Sequence, residues 1–352
     1  MIKGERDMDF TTIEMLEALE QVKPVYSFFT SFFPNGKVHS TSQLQIDIKK
    51  GKRPLAPFCS PKVGGKVLKR QGFRTKLIDT PRIAPETILT IDDVEKRSIG
   101  ENIYTTKTPE QREIELLAED TKELESRIER TKNWLVREMI YNGKINVEDE
   151  EDGYSFEVDF GFTNKEVLAK GWDELDSDPI SDLSRARLHC IQSAGFAPTL
   201  AILSGDVVDA FKNNEKVQKA MDIKNFNFAS YTPKIVNDAV TFLGVISELG
   251  LELYRYDDWF VDEHGKEQPF VPKGTVALLP KQMGSMEYGL VTQYEGKQKG
   301  FCSYLSNLVP LIYGTVEGNA KIYRLTSRPV PIPKNVDGWY ILEGVTKEGG
   351  TV

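Results

Sequence analysis

A stretch of positive charge that contains no acid constrains this chain more than any other feature. Residues 49–76 hold ten lysines or arginines and neither aspartate nor glutamate. Apolar residues alternate through this stretch and beyond it, as in a strand hairpin: Val63, Val67, Leu68 and Phe73 going out, and Ile83, Ile88, Leu89 and Ile91 returning. A hairpin with so many charges cannot bury both of its faces in its own domain. This basic segment (residues 49–76) is therefore predicted to lie across an acidic surface.

Negative charge is concentrated elsewhere in the chain. The net charge is −8, and residues 144–160 hold seven acids against Lys144 alone. Five of these acids are consecutive and form an acidic turn (residues 148–152). Two other interpretations of the basic segment are open. It could be an exposed, solvated face, or it could bind nucleic-acid phosphates with the help of Phe73. The overall acidity argues against general nucleic-acid binding, and with the hairpin pattern it favours contact with protein.

Length and composition bound the class of protein. The 352 residues allow two domains, or one core with large extensions, and an apolar fraction of 39% suffices for a core. The longest apolar runs are too short for a transmembrane helix, and the charged N-terminus does not resemble a secretory signal. Cys59, Cys190 and Cys302 lie far apart and form no C-x-x-C motif, which indicates a reducing compartment.

The strongest secondary-structure signal is that of a long helix. Residues 108–111 combine an N-cap threonine, a proline at the first helical position and a glutamine three residues after the cap. Asn142-Gly143 is a typical helix end, so the helix spans roughly 50 Å. Its apolar residues form one stripe: Ile114, Leu117, Leu124, Ile128 and Leu135. A single stripe predicts a helix that lies along a sheet rather than inside a bundle.

Shorter elements surround this helix. The predicted strands cover residues 41–48, a two-stranded ribbon within 143–161, and 199–203, 242–254, 269–279, 320–325 and 339–345. Predicted helices are a short one within residues 9–33, one from Asp178 to Gly195, and one from Gly205 that continues toward Ala220. Helices and strands are mixed along the chain without an internal repeat, which indicates an α+β fold.

Motifs of catalysis and cofactor binding are weak or missing in the sequence. The phosphate-loop-like Val63-Gly64-Gly65-Lys66 lacks the following Ser or Thr. His189 and Cys190 are adjacent on a predicted helix, where neighbouring side chains point apart. The acids around His264 sit by a hairpin turn, where solvated carboxylates are common. No catalytic, cofactor-binding or metal-binding residue is therefore predicted.

Three short motifs, in order along the chain, resemble those of the major capsid protein E family of lambda-like tailed bacteriophages. The first is Ser60-Pro61-x-Val63-x-Gly65-x-Val67-x-x-Arg70-x-Gly72. The second is Phe270-x-Pro272-x-Gly274-Thr275-Val276 with Leu278, Gly284 and Tyr288-Gly289. The third is Ser327-x-Pro329-Val330-Pro331 with Asp337. Each motif alone is weak, but three in order across nearly the whole chain are fairly specific.

The resemblance implies the Hong Kong 97-type capsid fold, an α+β fold with an N-terminal arm, an extended β-hairpin loop and a long spine helix. The arm would be residues 1–40, and the extended loop with its base residues 41–107. A peripheral domain with the spine helix and the ribbon would be residues 108–174, and an axial domain residues 175–315. Residues 316–352 would be strands that return to the peripheral domain.

The same resemblance implies the function of a major head protein, a structural protein of the virion and not an enzyme. Copies made in the host cytoplasm would assemble as pentamers and hexamers into an icosahedral shell. The shell would enclose double-stranded DNA without sequence-specific binding. Further implied partners are a portal, a separate scaffold or protease and, optionally, a decoration protein, with no membrane and no cofactor. A nucleic-acid-binding or coiled-coil adaptor and an enzyme of unknown class are the alternatives.

Contacts between subunits are predicted to join opposite charges. The basic side is Lys62, Lys66, Lys69, Arg70 and Arg74, and the acidic side is Glu148, Asp149 and Glu150. The hairpin around the basic residues would lie on the long helix and ribbon of an adjacent subunit, where charge guides register more than it stabilises. Relatives of this fold can cross-link a loop lysine to an asparagine, but this sequence marks no partner and no cross-link is predicted.

Overall fold

A seven-stranded sheet and a helix of 34 residues organise the structure. This computed structural model describes residues 12, 15, 27–48, 74–96, 107–149, 153–222, 229–235, 238–262, 265–314 and 320–347. Helices and strands are mixed along these ranges, in agreement with the predicted α+β class. Within the described residues, no helix is both long and apolar enough to cross a membrane.

The described elements are as follows. The helices are α1 (Ile91–Glu95), α2 (Pro109–Asn142), α3 (Pro179–Ala194), α4 (Gly205–Asn213), α5 (Glu215–Asp222) and α6 (Gly296–Lys299), with short 3-10 turns at Phe29–Phe32 and Val336–Gly338. The first strands are β1 (Asn35–Val38), β2 (Gln43–Ile48), β3 (Arg74–Asp79), β4 (Glu86–Thr90), β5 (Lys144–Asp149), β6 (Tyr154–Asp159), β7 (Lys165–Val167), β8 (Leu200–Leu203), β9 (Ala229–Ile235), β10 (Val240–Ile246) and β11 (Leu251–Tyr256). The later strands are β12 (Trp259–Val261), β13 (Glu267–Pro269), β14 (Val276–Leu279), β15 (Gly284–Tyr288), β16 (Val291–Tyr294), β17 (Phe301–Tyr304), β18 (Val309–Gly314), β19 (Ala320–Thr326), β20 (Pro329–Pro333) and β21 (Tyr340–Glu343).

The large sheet has the strand order β7-β21-β14-β8-β11-β10-β9. Its central strands are apolar throughout because both of their faces are buried. In β8, Ala201 and Leu203 face the cluster formed with α3, α4 and α5, whereas Leu200 and Ile202 face the cluster formed with α2. The sheet is therefore the layer between two cores, and the predicted buried strand at residues 199–203 is confirmed.

The long helix begins and ends where its sequence predicts. The Thr108 N–H donates to Gln111 Oε1 at 3.1 Å, and the Gln111 N–H donates to Thr108 Oγ1 at 3.4 Å. Gly143 ends α2 with a φ of 65°, a left-handed conformation that glycine adopts without strain. As predicted, the apolar stripe lies along sheets: Leu124 and Ile128 pack against β19.

The outgoing residues of the predicted hairpin, Val63, Val67, Leu68 and Phe73, lie outside the described residues, and of its return residues those at 86–90 pair with β19. The strand that pairs with β2 is β3, with Leu44 opposite Ile78. The predicted return residues 86–90 instead form β4, which pairs with β19 so that Ile88 lies opposite Ile322. The alternating pattern of residues 83–89 marks a strand correctly, but pattern alone does not specify a partner more than two hundred residues away.

Other predicted elements are confirmed in part. The ribbon is confirmed as β5 and β6, which form an antiparallel pair. The helix from Gly205 breaks at Asn214, whose Oδ1 accepts from the N–H groups of Lys216 and Val217 while its Nδ2 donates to Trp172 O. Asn214 thus caps α5 and separates it from α4. Among the C-terminal strands, β19 and β20 pack on α2, whereas β21 pairs with β14 and β7 in the large sheet.

We expect Leu124→Ala to lower the free energy of unfolding by about 2–5 kcal/mol, because it leaves a cavity where α2 meets β19. Leu124 is fully buried, whereas Ile114 on the same helix is 44% exposed. Ile114→Ala is the matched control and should change the free energy by less than about 1 kcal/mol. Urea unfolding of the unassembled subunit measures both. Equal effects would show that the N-terminal and C-terminal parts of the stripe are buried alike.

We expect the Cys190 thiol to resist alkylation in the folded protein. Burial, with a smaller effect of the Asp337 charge, raises the pKa of Cys190 to about 12. At about pH 8 only on the order of one thiol in ten thousand would then be the reactive thiolate. Iodoacetamide followed by mass spectrometry should label partly exposed Cys302 first and Cys190 only after denaturation. Labelling of Cys190 at the rate of Cys302 would contradict the buried position.

Candidate inter-subunit surfaces

The base of the basic segment is fixed to the rest of the subunit. Leu44 on β2 and Ile78 on β3 face each other, and both are buried in the core beside α2. Just past β3, the Thr80 N–H and hydroxyl both donate to Ser42 O, at 3.0 and 2.8 Å. The two strands therefore leave the core in a defined direction.

The ribbon of β5 and β6 lies beside this base in the same chain. Lys76 Nζ on β3 donates to the carbonyl oxygen of Asp159 at the end of β6, at 2.8 Å. Arg328 Nη2 donates to Thr80 O at 2.9 Å. Burial raises the pKa of Tyr154 at the start of β6, against a backbone hydrogen bond from Arg82 and the charge of Arg328. The β5–β6 ribbon and the β2–β3 pair thus contact each other where β6 ends, next to Lys76 of β3.

Most of the predicted contact residues lie outside the described residues. These are Lys62, Lys66, Lys69 and Arg70 in the basic segment and Glu150 in the acidic turn. Arg74 is the first residue of β3, and Glu148 and Asp149 are the last two residues of β5. The Glu148 carboxylate accepts a hydrogen bond from Asn146 Nδ2 at 3.1 Å. The predicted contact between the two charged groups stays a prediction.

The long helix carries an excess of acid, with nine acidic and six basic residues. Several of its bases are already paired within the subunit: Arg127 lies 2.5 Å from Glu123, and Lys132 lies 2.7 Å from Glu129. Burial, and then the charge of Glu129, raises the pKa of Glu125, with Lys132 acting in the opposite direction. Two of its acids are also paired with lysines from outside the helix, Glu115 with Lys107 at 2.6 Å and Glu113 with Lys321 at 2.7 Å, so only part of the excess negative charge of α2 is left for a basic partner.

An exposed aromatic pair is a feature that the sequence analysis missed. Strands β16 and β17 form a hairpin (residues 291–304, the aromatic hairpin) in which Tyr294 lies opposite Phe301. Their ring centroids are 5.5 Å apart, and the side chains are 51% and 80% exposed. The alternation Thr292, Tyr294 and Phe301, Ser303 around Gly296 and Gly300 was the signal that could have found the hairpin.

Among the described residues, the side chains of the histidines and cysteines considered as candidates for catalysis or metal binding lie apart from one another. His189 is exposed, with its ring 5.2 Å from that of Tyr340, while Cys190 is buried on another face of α3. His39 Nε2 lies 2.9 Å from Glu287 Oε2. His264 lies outside the described residues, and within those described no three His, Cys, Asp or Glu side chains converge as metal ligands would.

Comparison with known proteins identifies the family. The model of the phage major capsid protein E family matches residues 11–342. The chain belongs to this family. It is therefore a major capsid protein of a tailed phage and a structural component of the virion, and the family resemblance found in the sequence motifs is confirmed.

Two curated relatives match the chain over almost its whole length. They are the major capsid protein of Enterobacteria phage P21 and the P21 prophage-derived major head protein of Escherichia coli O6:H1 strain CFT073. Each is 23% identical over 343 residues, which cover 95% of this chain and 98% of the relative.

Solved structures show the same fold. A crystal structure of a protein assigned as a prophage capsid protein of E. coli CFT073 is similar with a TM-score of 0.69 and 19% identity, covering 94% of this chain and 98% of that one. A phage-related protein of Bordetella bronchiseptica RB50 is similar with a TM-score of 0.50 and 13% identity, covering 91% and 93%. The fold is the Hong Kong 97 type, as the resemblance implied.

We expect Phe301→Ser to weaken shell assembly while the subunit stays folded. An exposed aromatic side chain that becomes buried at a contact contributes about 2 kcal/mol, or roughly thirtyfold in the equilibrium constant of that contact. Phe301→Tyr keeps the ring and is the control. Sedimentation of purified protein measures shells against free subunits. Normal assembly of the serine variant would show that the aromatic pair stays solvent-exposed in the shell.

Proposed function

We propose that this capsid protein assembles into pentamers and hexamers of an icosahedral shell, with the basic segment of each subunit lying on its neighbour. The observation that supports the proposal is that strands β2 and β3, on either side of the basic segment, are anchored in the core. Leu44 and Ile78 anchor β2 and β3 in the core, and the ten bases lie between or on these strands. A segment with that much like charge gains by meeting the acidic α2 and ribbon of another copy.

The proposed domain boundaries follow those of the implied capsid fold. Residues 1–40 serve as an N-terminal arm, 41–107 as the extended loop with its base, and 108–174 as the peripheral domain. Residues 175–315 form the axial domain, and 316–352 return to the peripheral domain. Two strands, β7 and β21, run into the large sheet and couple the peripheral and axial parts. This coupling supports a rigid core with extensions that adapt to pentamers and hexamers alike.

The proposed partners follow from the role of a head protein. Further copies of the chain are the main partner, with a portal, a scaffold or protease and, optionally, a decoration protein. The shell encloses packaged double-stranded DNA without reading its sequence, and its net negative charge suits a wall along which DNA slides. Before assembly the subunit resides in the host cytoplasm. Its role is structural and requires no cofactor.

The coiled-coil alternative is disfavoured by the burial of its required surface. Dimerisation through α2 would need a free apolar stripe, but Leu124, Ile128 and Leu135 are each at most 1% exposed within the single subunit. From Leu124 onward the stripe is covered by β19 and the central core, and exposed Ile114 alone does not form a coiled-coil interface. The net charge of −8 argues against the alternative of an adaptor that binds DNA.

We expect reversal of Lys62, Lys66, Lys69 and Arg70 to glutamate to abolish shells while the folded subunit persists. The change replaces attraction to acidic surfaces by repulsion, which at an interface costs several kcal/mol. Electron microscopy measures shells, and urea unfolding checks the fold. The control reverses the same number of exposed lysines elsewhere, Lys170, Lys219, Lys266 and Lys273. Normal shells from the first variant would refute the loop mechanism.

A charge exchange tests the partner surface directly. Glu148, Asp149 and Glu150 are changed to lysine in the background of the reversed basic segment. Partial return of shells would identify the acidic turn as the surface that the basic segment meets. If shells return when acids on α2 are exchanged instead, the long helix is that surface.

A further inference from the structure

The loop between β7 and α3 (residues 171–178, the leucine loop) holds one leucine out in the solvent. Leu175 is 88% exposed, the largest exposed fraction of any large apolar side chain in the described residues. Three acids, Asp173, Glu174 and Asp176, lie beside it, and none of them forms an ion pair within the part of the chain that the structure describes. A single exposed leucine is ordinary, but one among three acids without ion pairs suits contact with a surface that is both apolar and basic.

The leucine loop is fixed at both of its ends. Trp172 is 1% exposed, and its indole Nε1 donates to Asp182 Oδ2 at 3.1 Å. The Ser177 hydroxyl accepts from Asn214 Nδ2 at 2.9 Å and donates to Glu174 O at 2.8 Å. The conformation of the loop is therefore set before any contact is made, and a preorganised loop binds at a low ordering cost.

A groove on another part of the subunit has the complementary chemistry. It lies between α2, β5 and β12 and has a volume of about 480 Å³. Its lining includes the aromatic side chains of Trp134 and Phe260 and the exposed arginines Arg127 and Arg130. Arg127 is paired with Glu123, whereas Arg130 forms no ion pair among the described residues.

Two acids also line this groove, and both accept hydrogen bonds within the subunit. Asp262 accepts from the Lys266 N–H at 2.8 Å and from Gln268 Nε2 at 2.9 Å. Glu148 accepts from Asn146 Nδ2 at 3.1 Å. Arg130 has no such partner among the described residues, so the groove combines aromatic surface with a cation that can receive a carboxylate.

The leucine loop and the groove belong to opposite sides of the large sheet. Trp172 packs in the core formed with α3, α4 and α5, whereas Phe260 packs in the core formed with α2. A subunit therefore cannot place its loop in its own groove, but it can place it in the groove of a second copy. Such a head-to-tail contact leaves one loop and one groove available, so it repeats from copy to copy and closes into a ring where the rotation allows.

We propose that each subunit inserts Leu175 into the groove of the next copy, where it contacts Trp134 and Phe260 and where Arg130 receives the acids of the leucine loop. The occupant of the groove is thus a second copy of this chain. This inference rests on the shell assembly proposed above and adds to it a contact between neighbours within one pentamer or hexamer. Fixed geometry on the side of the loop and aromatic surface on the side of the groove are typical of contacts that contribute strongly to binding.

The first test compares assembly of full-length variants by sedimentation and electron microscopy. We expect Leu175→Ser to raise the subunit concentration needed for assembly about tenfold, because an apolar side chain is lost from the contact. Leu188→Ser is the matched control, since Leu188 on α3 is 53% exposed and lies outside the proposed contact. It should assemble as the wild type does. Urea unfolding checks that both variants are folded.

The second test exchanges the charges of the contact. Glu174→Lys and Arg130→Glu should each weaken assembly, and the two together in one chain should restore it, because the pair is again of opposite sign. Weakening that simply adds in the double variant overturns the pairing of loop and groove. Assembly of Leu175→Ser at the wild-type concentration overturns the insertion of Leu175.

Failure of this contact can be told apart from failure of the assembly on which it rests. Wild-type protein that forms neither rings nor shells would refute the assembly proposed above, and this contact with it. Wild-type shells together with unimpaired Leu175→Ser shells would refute the contact alone.

Discussion

The fold depends on the burial of the C-terminal half of α2 on all of its sides. Leu135, Val136, Met139, Ile140 and Tyr141 are all at most 2% exposed. Elements that are distant in sequence meet around them. The Trp339 indole Nε1 donates to Ile140 O at 3.1 Å, and the ring of Trp339 stacks on Phe162 at 4.8 Å. The helix therefore joins the ribbon, the large sheet and the C-terminal strands in one core.

Burial favours pairing of the polar groups of this half inside the protein, although the buried Tyr141 hydroxyl has no hydrogen-bond partner among the described residues. Asn133 Oδ1 accepts from the Phe29 N–H at 3.0 Å, and its Nδ2 donates to Tyr256 OH at 2.9 Å. Arg137 Nε donates to Phe270 O at 3.3 Å. These bonds fix the 3-10 turn at Phe29–Phe32 and the large sheet against the helix. The N-terminal half of α2 buries one stripe only, so several of its other residues, such as Glu119, Lys122 and Glu123, are exposed.

Local chemistry made the long helix predictable, whereas strand partners were decided by distant residues. The capping residues Thr108 and Gln111 and the terminal Gly143 act within a few residues, so sequence alone located both ends of α2. Strand β4 carries an ordinary alternating pattern, and its pairing with β19 depends on the edge that β19 offers after the chain has folded. The fold type itself came from the family motifs rather than from periodicity.

Sequence located the charged parts of the candidate contact surfaces but not their exposed aromatic residues. The acidic ribbon and strand β2 were located correctly, because turn residues and alternating residues are visible in sequence, whereas β3, the partner of β2, was not predicted. The aromatic pair of Tyr294 and Phe301 was missed, because whether an alternating aromatic residue points outward depends on which face of its hairpin packs. Exposure is a tertiary property, and two hairpins with the same pattern can present opposite faces.

Positive and negative charge are concentrated in different parts of this chain. Outside the ten bases of the basic segment, the chain carries 35 basic and 53 acidic residues. Like charges along the segment repel each other, so the segment gains free energy by meeting opposite charge. Screening over about 8 Å at physiological ionic strength limits attraction to surfaces in near contact. We therefore expect charge to set the register between copies, and apolar groups such as Phe301 to supply most of the binding free energy.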